Sequence, residues 1–316
     1  MTGNKALPFS REGIGGLYSS TFERAFGSNK DRFPYVGRGK TLLMVADFSG
    51  QNRGQQFETY SLLFLDPDRN SDWFAQQRLF RLSTNIGRRR IAFKALNDEK
   101  RKQALVPFLR MANHIHGCLV TFAISRNSET LFERNEKGGE SEKFLSIWKP
   151  KVREHVLRIA HLSAYFAAAF SRQGQDLLWF IDEDAAAAND AQLTQLTNVF
   201  SRILAHHLSH DLRHIRCGTS RSDNGSLDLE DLLAIPDLVA GATAEISTGF
   251  ANQDCFPRRG LQLPLPRHLS SKTLLIASWI AESNSSLRRE LFLLEPEIGQ
   301  PGSRLTHCKI EPMQFT

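Results

Sequence analysis

Apolar positions in this chain gather into short unbroken runs, and two of the runs end on carboxylates. TLLMVADFSG, residues 41–50, carries five apolar residues, Leu42 to Ala46, into Asp47 before Ser49 and Gly50 stop it. DLLWFIDED, residues 176–184, repeats the pattern. Runs of this length between turn signals predict strands covered on both faces. Around them the pattern predicts a hairpin of strands 41–47 and 57–65, a short amphipathic helix over 72–82, and a helix over 98–116 that Pro107 bends or restarts. A strand over 118–125, a helix over 151–172 ended near Gly174, a helix over 190–210, a strand over 214–220 and a mostly helical stretch over 227–247 follow. Residues 1–40 show no period and predict an N-terminal arm with one short helix near Leu17–Phe26. KTLLIASWIAE (272–282) and RELFLLEPE (289–297) predict a second hairpin.

The order strand, strand, helices, strand, helix, strand, helix, strand, helix predicts a mixed α/β chain. Asp47, Asp182 and Asp237 stand out because their neighbours are apolar. A buried carboxylate is costly unless it is paired or binds a cation. If strands 41–47 and 176–181 are parallel neighbours, Asp47 and Asp182 lie side by side at one sheet edge, where α/β sheets favour ligand sites. Asp237 shares a helical face with Leu233, Gly241 and Ala244, and a kink at Pro236 would redirect it. Each acid also has a local reading. Asp47 would cap the turn through Ser49 and Gly50. Asp182 would be the N-cap of a helix seeded by AAAA, and Asp237 a first-turn helix residue.

Composition narrows the classes. The chain has 316 residues, 41% hydrophobic and 23% charged, with mean hydropathy −0.33. No apolar run approaches a membrane span and the start lacks a signal-peptide core, so a cytoplasmic location is expected. The four cysteines, Cys118, Cys217, Cys255 and Cys308, form no CxxC pair, which argues against structural zinc and disulfides. A net charge of +6 and a pI of about 9.2 permit contact with phosphate backbones. The chain contains no P-loop and no nucleophile-elbow motif. His206 and His210 have i, i+4 spacing but lack the HExxH glutamate, so a surface role is the simpler reading.

Four segments together resemble the bacterial domain-of-unknown-function 3800 family. ADFSG at 46–50 is similar to its strand-end DESG motif, and FKALND at 93–98 to its lysine-bearing segment. FIDED at 180–184 is similar to its acidic strand end, and IPDLVAGA at 235–242 to its late helical motif. Phe48 stands where the family has a second acid, and Pro236 where it has alanine. The family is similar in fold to ribonuclease H. The resemblance therefore implies a ribonuclease H-like mixed sheet flanked by helices over residues 41–250, with an N-terminal arm (1–40) and a β-rich C-terminal extension (251–316). The extension would add strands or make a homodimer contact.

For chemistry, the resemblance implies a metal-dependent nuclease in which two Mg²⁺ or Mn²⁺ ions sit about 3.5–4 Å apart between carboxylates. Asp47 would bridge both ions, and Asp182 and Asp237 would each complete one. Glu183 and Asp184 would be reserve ligands. Lys94 would contact a scissile phosphate, and Arg88, Arg89 and Arg90 would track the nucleic-acid backbone, unless they form an ordinary solvated run. The alternative on the same fold is a non-catalytic interaction module, a pseudoenzyme of a bacterial accessory or defence system, which Phe48 favours.

Overall fold

A computed structural model describes residues 14–27, 36, 38–52, 54–128, 131–132, 144–252, 262–263, 265–266, 268–297 and 302–310. Cys255 lies outside them. The strands are β1 (Thr41–Ser49), β2 (Phe57–Leu65), β3 (Gly117–Ser125), β4 (Asp176–Ile181), β5 (His214–Thr219), β6 (Gln262–Leu263), β7 (Leu287–Pro296) and β8 (Ser303–Ile310). The helices are α1 (Ile14–Gly27), α2 (Ser71–Ser83), α3 (Glu99–Ala112), α4 (Pro150–Phe170), α5 (Asp190–His207), α6 (Asp228–Asn252) and α7 (Ser271–Ala281).

Seven strands form one mixed sheet in the order β5-β4-β1-β2-β3-β7-β8, and two-residue β6 pairs with β8. β2 runs antiparallel to β1 and β3, whereas β4 is parallel to both β1 and β5. The alternation of strand side chains sorts the core into two layers. Leu42, Met44 and Ala46 pack with Phe22 of α1 and the inner faces of α4 and α5. Leu43 and Val45 pack with α2, α3 and α6. Asp47 falls in register with the second set, on the α6 side, and Phe48 with the first.

The tail corrects one expectation. Residues 271–281 are a helix, and the hairpin is made by β7 and β8. A uniformly apolar run does not distinguish strand from buried helix. Ser270 decides it here: its side chain caps the helix by accepting from the Thr273 N–H. Thr273, Ile276 and Ala277 then share the buried face. β7 lies between β3 and β8, so the apolar tail strand finds its partners in the same sheet. Pro236 lies inside α6 as the pattern predicts, and of the bend or restart expected at Pro107 the restart is absent: α3 continues through it. Among the described residues, no helix is long and apolar enough to cross a membrane.

Candidate functional site

β1 and β4 are parallel neighbours, with Ala46 opposite Ile181. Asp47 and Asp182 therefore follow side by side at the same sheet edge. Gly50, at φ +83°, turns the chain just beyond; a Cβ there would lie 2.0 Å from the Phe57 carbonyl oxygen. α6 crosses β1 and β2 on one face and brings Asp237 to that edge. The local readings of two acids fail on geometry. AAAA is not helical, and Asn189 caps the next helix, so Asp182 is no N-cap. Asp237 sits well inside α6 and not in its first turn.

The three acids line one cleft of about 260 Å³. Lys94, Glu183, Asp184, Arg90, Glu230, Phe48 and Gln51 also border it. The turn carrying Lys94 is fixed from below. Phe93 donates its N–H to Asp237 Oδ2 at 2.6 Å. Lys272 of α7 donates to the Phe93 carbonyl at 3.0 Å and lies 4.1 Å over its ring. A Cβ on Gly241 would lie 2.3 Å from that ring. Gly241 thus admits the 93–95 turn against α6. Asp182 Oδ1 accepts from Ser220 Oγ at 2.7 Å and from the Glu183 N–H at 2.9 Å. Asp237 and Asp182 each commit one carboxylate oxygen to these bonds.

Charge distinguishes this edge. Burial, reinforced by the charges of Asp237, Asp182 and Asp184 and opposed by the Phe48 N–H, holds Asp47 well above the usual carboxylate range. Burial also raises Asp237, to about 6; the Phe93 N–H, Lys94 and Lys272 oppose the shift and Asp182 adds to it. Glu230 is raised by burial and by Asp182, against the pull of Arg90.

No protein-family model matches this chain, and no curated protein does. The sequence-based site residues divide as follows. Asp47, Asp182, Asp237, Lys94, Glu183 and Arg90 border the cleft. Glu183 is ion-paired with Arg221, and Arg90 with Glu230. Arg88 turns to the Gly225 carbonyl at 3.1 Å, and the Arg89 carbonyl accepts from Arg81 at 3.3 Å; neither arginine borders the cleft. Among the described residues, no three His, Cys, Asp or Glu side chains converge closely enough to hold an ion as they stand. Sequence reasoning missed Glu230 and Gln51. Glu230 was detectable: it lies seven residues, two helical turns, before Asp237 on the same face.

Proposed function

We propose that this cleft binds Mg²⁺ or Mn²⁺ and hydrolyses phosphodiester bonds in nucleic acid, on a ribonuclease H-like scaffold. The strand order β5-β4-β1-β2-β3, with only β2 reversed, supports that scaffold. The observation that carries the chemistry is Asp47. The charges of Asp237, Asp182 and Asp184 push it up together, and a bound cation would relieve all of them. The donor set of Asp47, Asp182 and Asp237, with Glu183 in reserve, is all oxygen, which suits these hard cations. Bound ions would supply activation of water and stabilisation of the leaving oxygen. Lys94, exposed at the rim and close enough to influence Asp237, would meet a substrate phosphate. Arg90 would exchange Glu230 for the same backbone.

A second reading, the non-catalytic module, is favoured by two observations. Phe48 packs on Tyr60 with ring centres 5.6 Å apart instead of supplying an acid. The carboxylates also do not converge as they stand.

Calorimetric titration of Mn²⁺ into the wild type and Asp47→Asn separates the two. Binding that is lost in the variant supports the metal site, and cleavage assays on single- and double-stranded substrates then follow. Absence of binding in both proteins removes the nuclease reading and leaves the module.

A further inference from the structure

A second polar cluster meets the cleft from the α4 side of the sheet. His155 of α4 packs edge-on against Phe48, 5.7 Å between ring centres, and beside Tyr60 at 5.5 Å. Its two ring nitrogens have different partners. Nδ1 is 3.0 Å from the Tyr60 hydroxyl. Nε2 is 3.0 Å from Gln51 Nε2 and 3.5 Å from Asp184 Oδ2. Gln51 and Asp184 both border the cleft.

The surroundings of Tyr60 fix where the protons lie. The Tyr60 hydroxyl is 2.7 Å from Glu58 Oε2, and a carboxylate only accepts. Burial, then the Glu58 charge, keeps the phenol well above its ordinary range, so it retains its proton and donates it to Glu58. Arg158 anchors the same carboxylate at 3.3 Å and is itself held by Glu154 at 2.8 Å. With its proton committed, the Tyr60 oxygen accepts from His155 Nδ1–H. In the neutral tautomer so set, Nε2 is a bare acceptor; the Gln51 amide nitrogen faces it at 3.0 Å and Asp184 Oδ2 lies farther off at 3.5 Å.

We propose that His155 is a positioning residue of the cleft: its bare Nε2, set by Tyr60 and Glu58, holds the Gln51 amide at the rim, where the amide's second N–H meets a phosphate oxygen of a nucleic-acid substrate. The substrate half rests on the function proposed above; the proton arrangement does not. An ordinary packing histidine would need neither the Nδ1–H tautomer nor a bond to Gln51, so the two roles differ in a measurable way.

The test is nitrogen NMR on the full chain with imidazole-labelled histidine at pH 8, the His155 signals being assigned by their loss in His155→Gln. The expected result is a protonated Nδ1 and a bare, hydrogen-bonded Nε2. Gln51→Ala should then shift Nε2 toward an unbonded nitrogen, and Tyr60→Phe should release the tautomer lock. A protonated Nε2 in the wild type, or an Nε2 signal indifferent to Gln51→Ala, overturns the proposal. Fluorescence polarisation with a labelled single-stranded oligonucleotide in Ca²⁺ supplies the substrate arm. His155→Gln and Gln51→Ala should each weaken binding about threefold to tenfold, as for one neutral hydrogen bond, and the double variant no further. Additive losses overturn the proposal. A wild type that binds no oligonucleotide removes the proposed substrate, and with it the role given to Gln51, whatever the tautomer.

Discussion

Two regions of one sheet bury carboxylates in opposite ways. Toward the β7–β8 edge, Glu290 is nearly inaccessible, yet its carboxyl is lowered. Burial pushes it up, but the His307 hydrogen bond at 2.6 Å, then Arg288 at 2.5 Å, outweigh burial. Arg288 also donates to the Ala25 carbonyl and lies 5.0 Å over Phe26, so the cluster ties α1 to the sheet. At the C-terminal edge of β1 and β4, Asp47 and Asp237 are raised, because burial is joined by like charge. A carboxylate kept for structure is given its cation by the fold. One that faces other carboxylates is held at a cost in stability, which is the pattern of a site built for a ligand.

The sharpest break of that contrast removes the cation from the satisfied acid. Arg288→Met leaves Glu290 with His307 alone and should lower stability by about 3–5 kcal/mol in urea unfolding at pH 7. A near-neutral result would mean that the ion pair at β7 does not hold the sheet and α1 together. The reverse experiment supplies a cation to the unsatisfied acids. Mn²⁺ at a hundred times its Kd should stabilise the wild type by about 2.7 kcal/mol, and Asp47→Asn should abolish the gain. An equal shift in both proteins would place the ion elsewhere.

The sequence revealed the acids more readily than their supports. Asp47 and Asp182 were visible because a charge that ends an apolar run is conspicuous, and run length identified their strands. Asp237 was visible among the small apolar residues of α6. Glu230 was passed over in LDLEDLL, where acids look like an ordinary first helical turn, although its two-turn spacing before Asp237 marked it. His155 was hidden in KVREH, since its partners Tyr60 and Gln51 lie 95 and 104 residues away and no local pattern encodes them. Helix α7 was misread because its apolar run is nearly continuous, and only the cap at Ser270 separates it from a strand. Lys272, which steadies the Phe93 turn from that helix, was lost with the misreading.

That turn offers a smaller break. Gly241→Ala would push its Cβ into the ring of Phe93, a residue whose backbone is held by Asp237 and Lys272 and over whose ring face Lys272 lies. Overpacking at such a place costs about 1–3 kcal/mol. Thermal unfolding should show the loss, and Mn²⁺ affinity should fall with it because Asp237 is displaced. An unchanged affinity would mean that the turn does not set the position of Asp237.

A pH-dependent effect separates the two regions by sign. Glu290 has a folded-state carboxyl below its unfolded value, so its contribution is complete above the unfolded pKa and is lost as pH falls through the folded one. Asp237 is the opposite: its folded value of about 6 lies above the ordinary 3.8. Between those two values the folded state binds more protons than the unfolded chain, so stability falls as pH rises. Asp237→Asn removes that slope and keeps an acceptor for the Phe93 N–H. In chelator, the variant should therefore be more stable than wild type by up to about 3 kcal/mol at pH 8, and the difference should shrink to nothing below about pH 4. Saturating Mn²⁺ should reverse the order, since the wild type then gains the ion that the variant binds weakly. A variant less stable than wild type in chelator at pH 8 would mean that Asp237 is a satisfied structural acid like Glu290, and the contrast between the two edges would collapse.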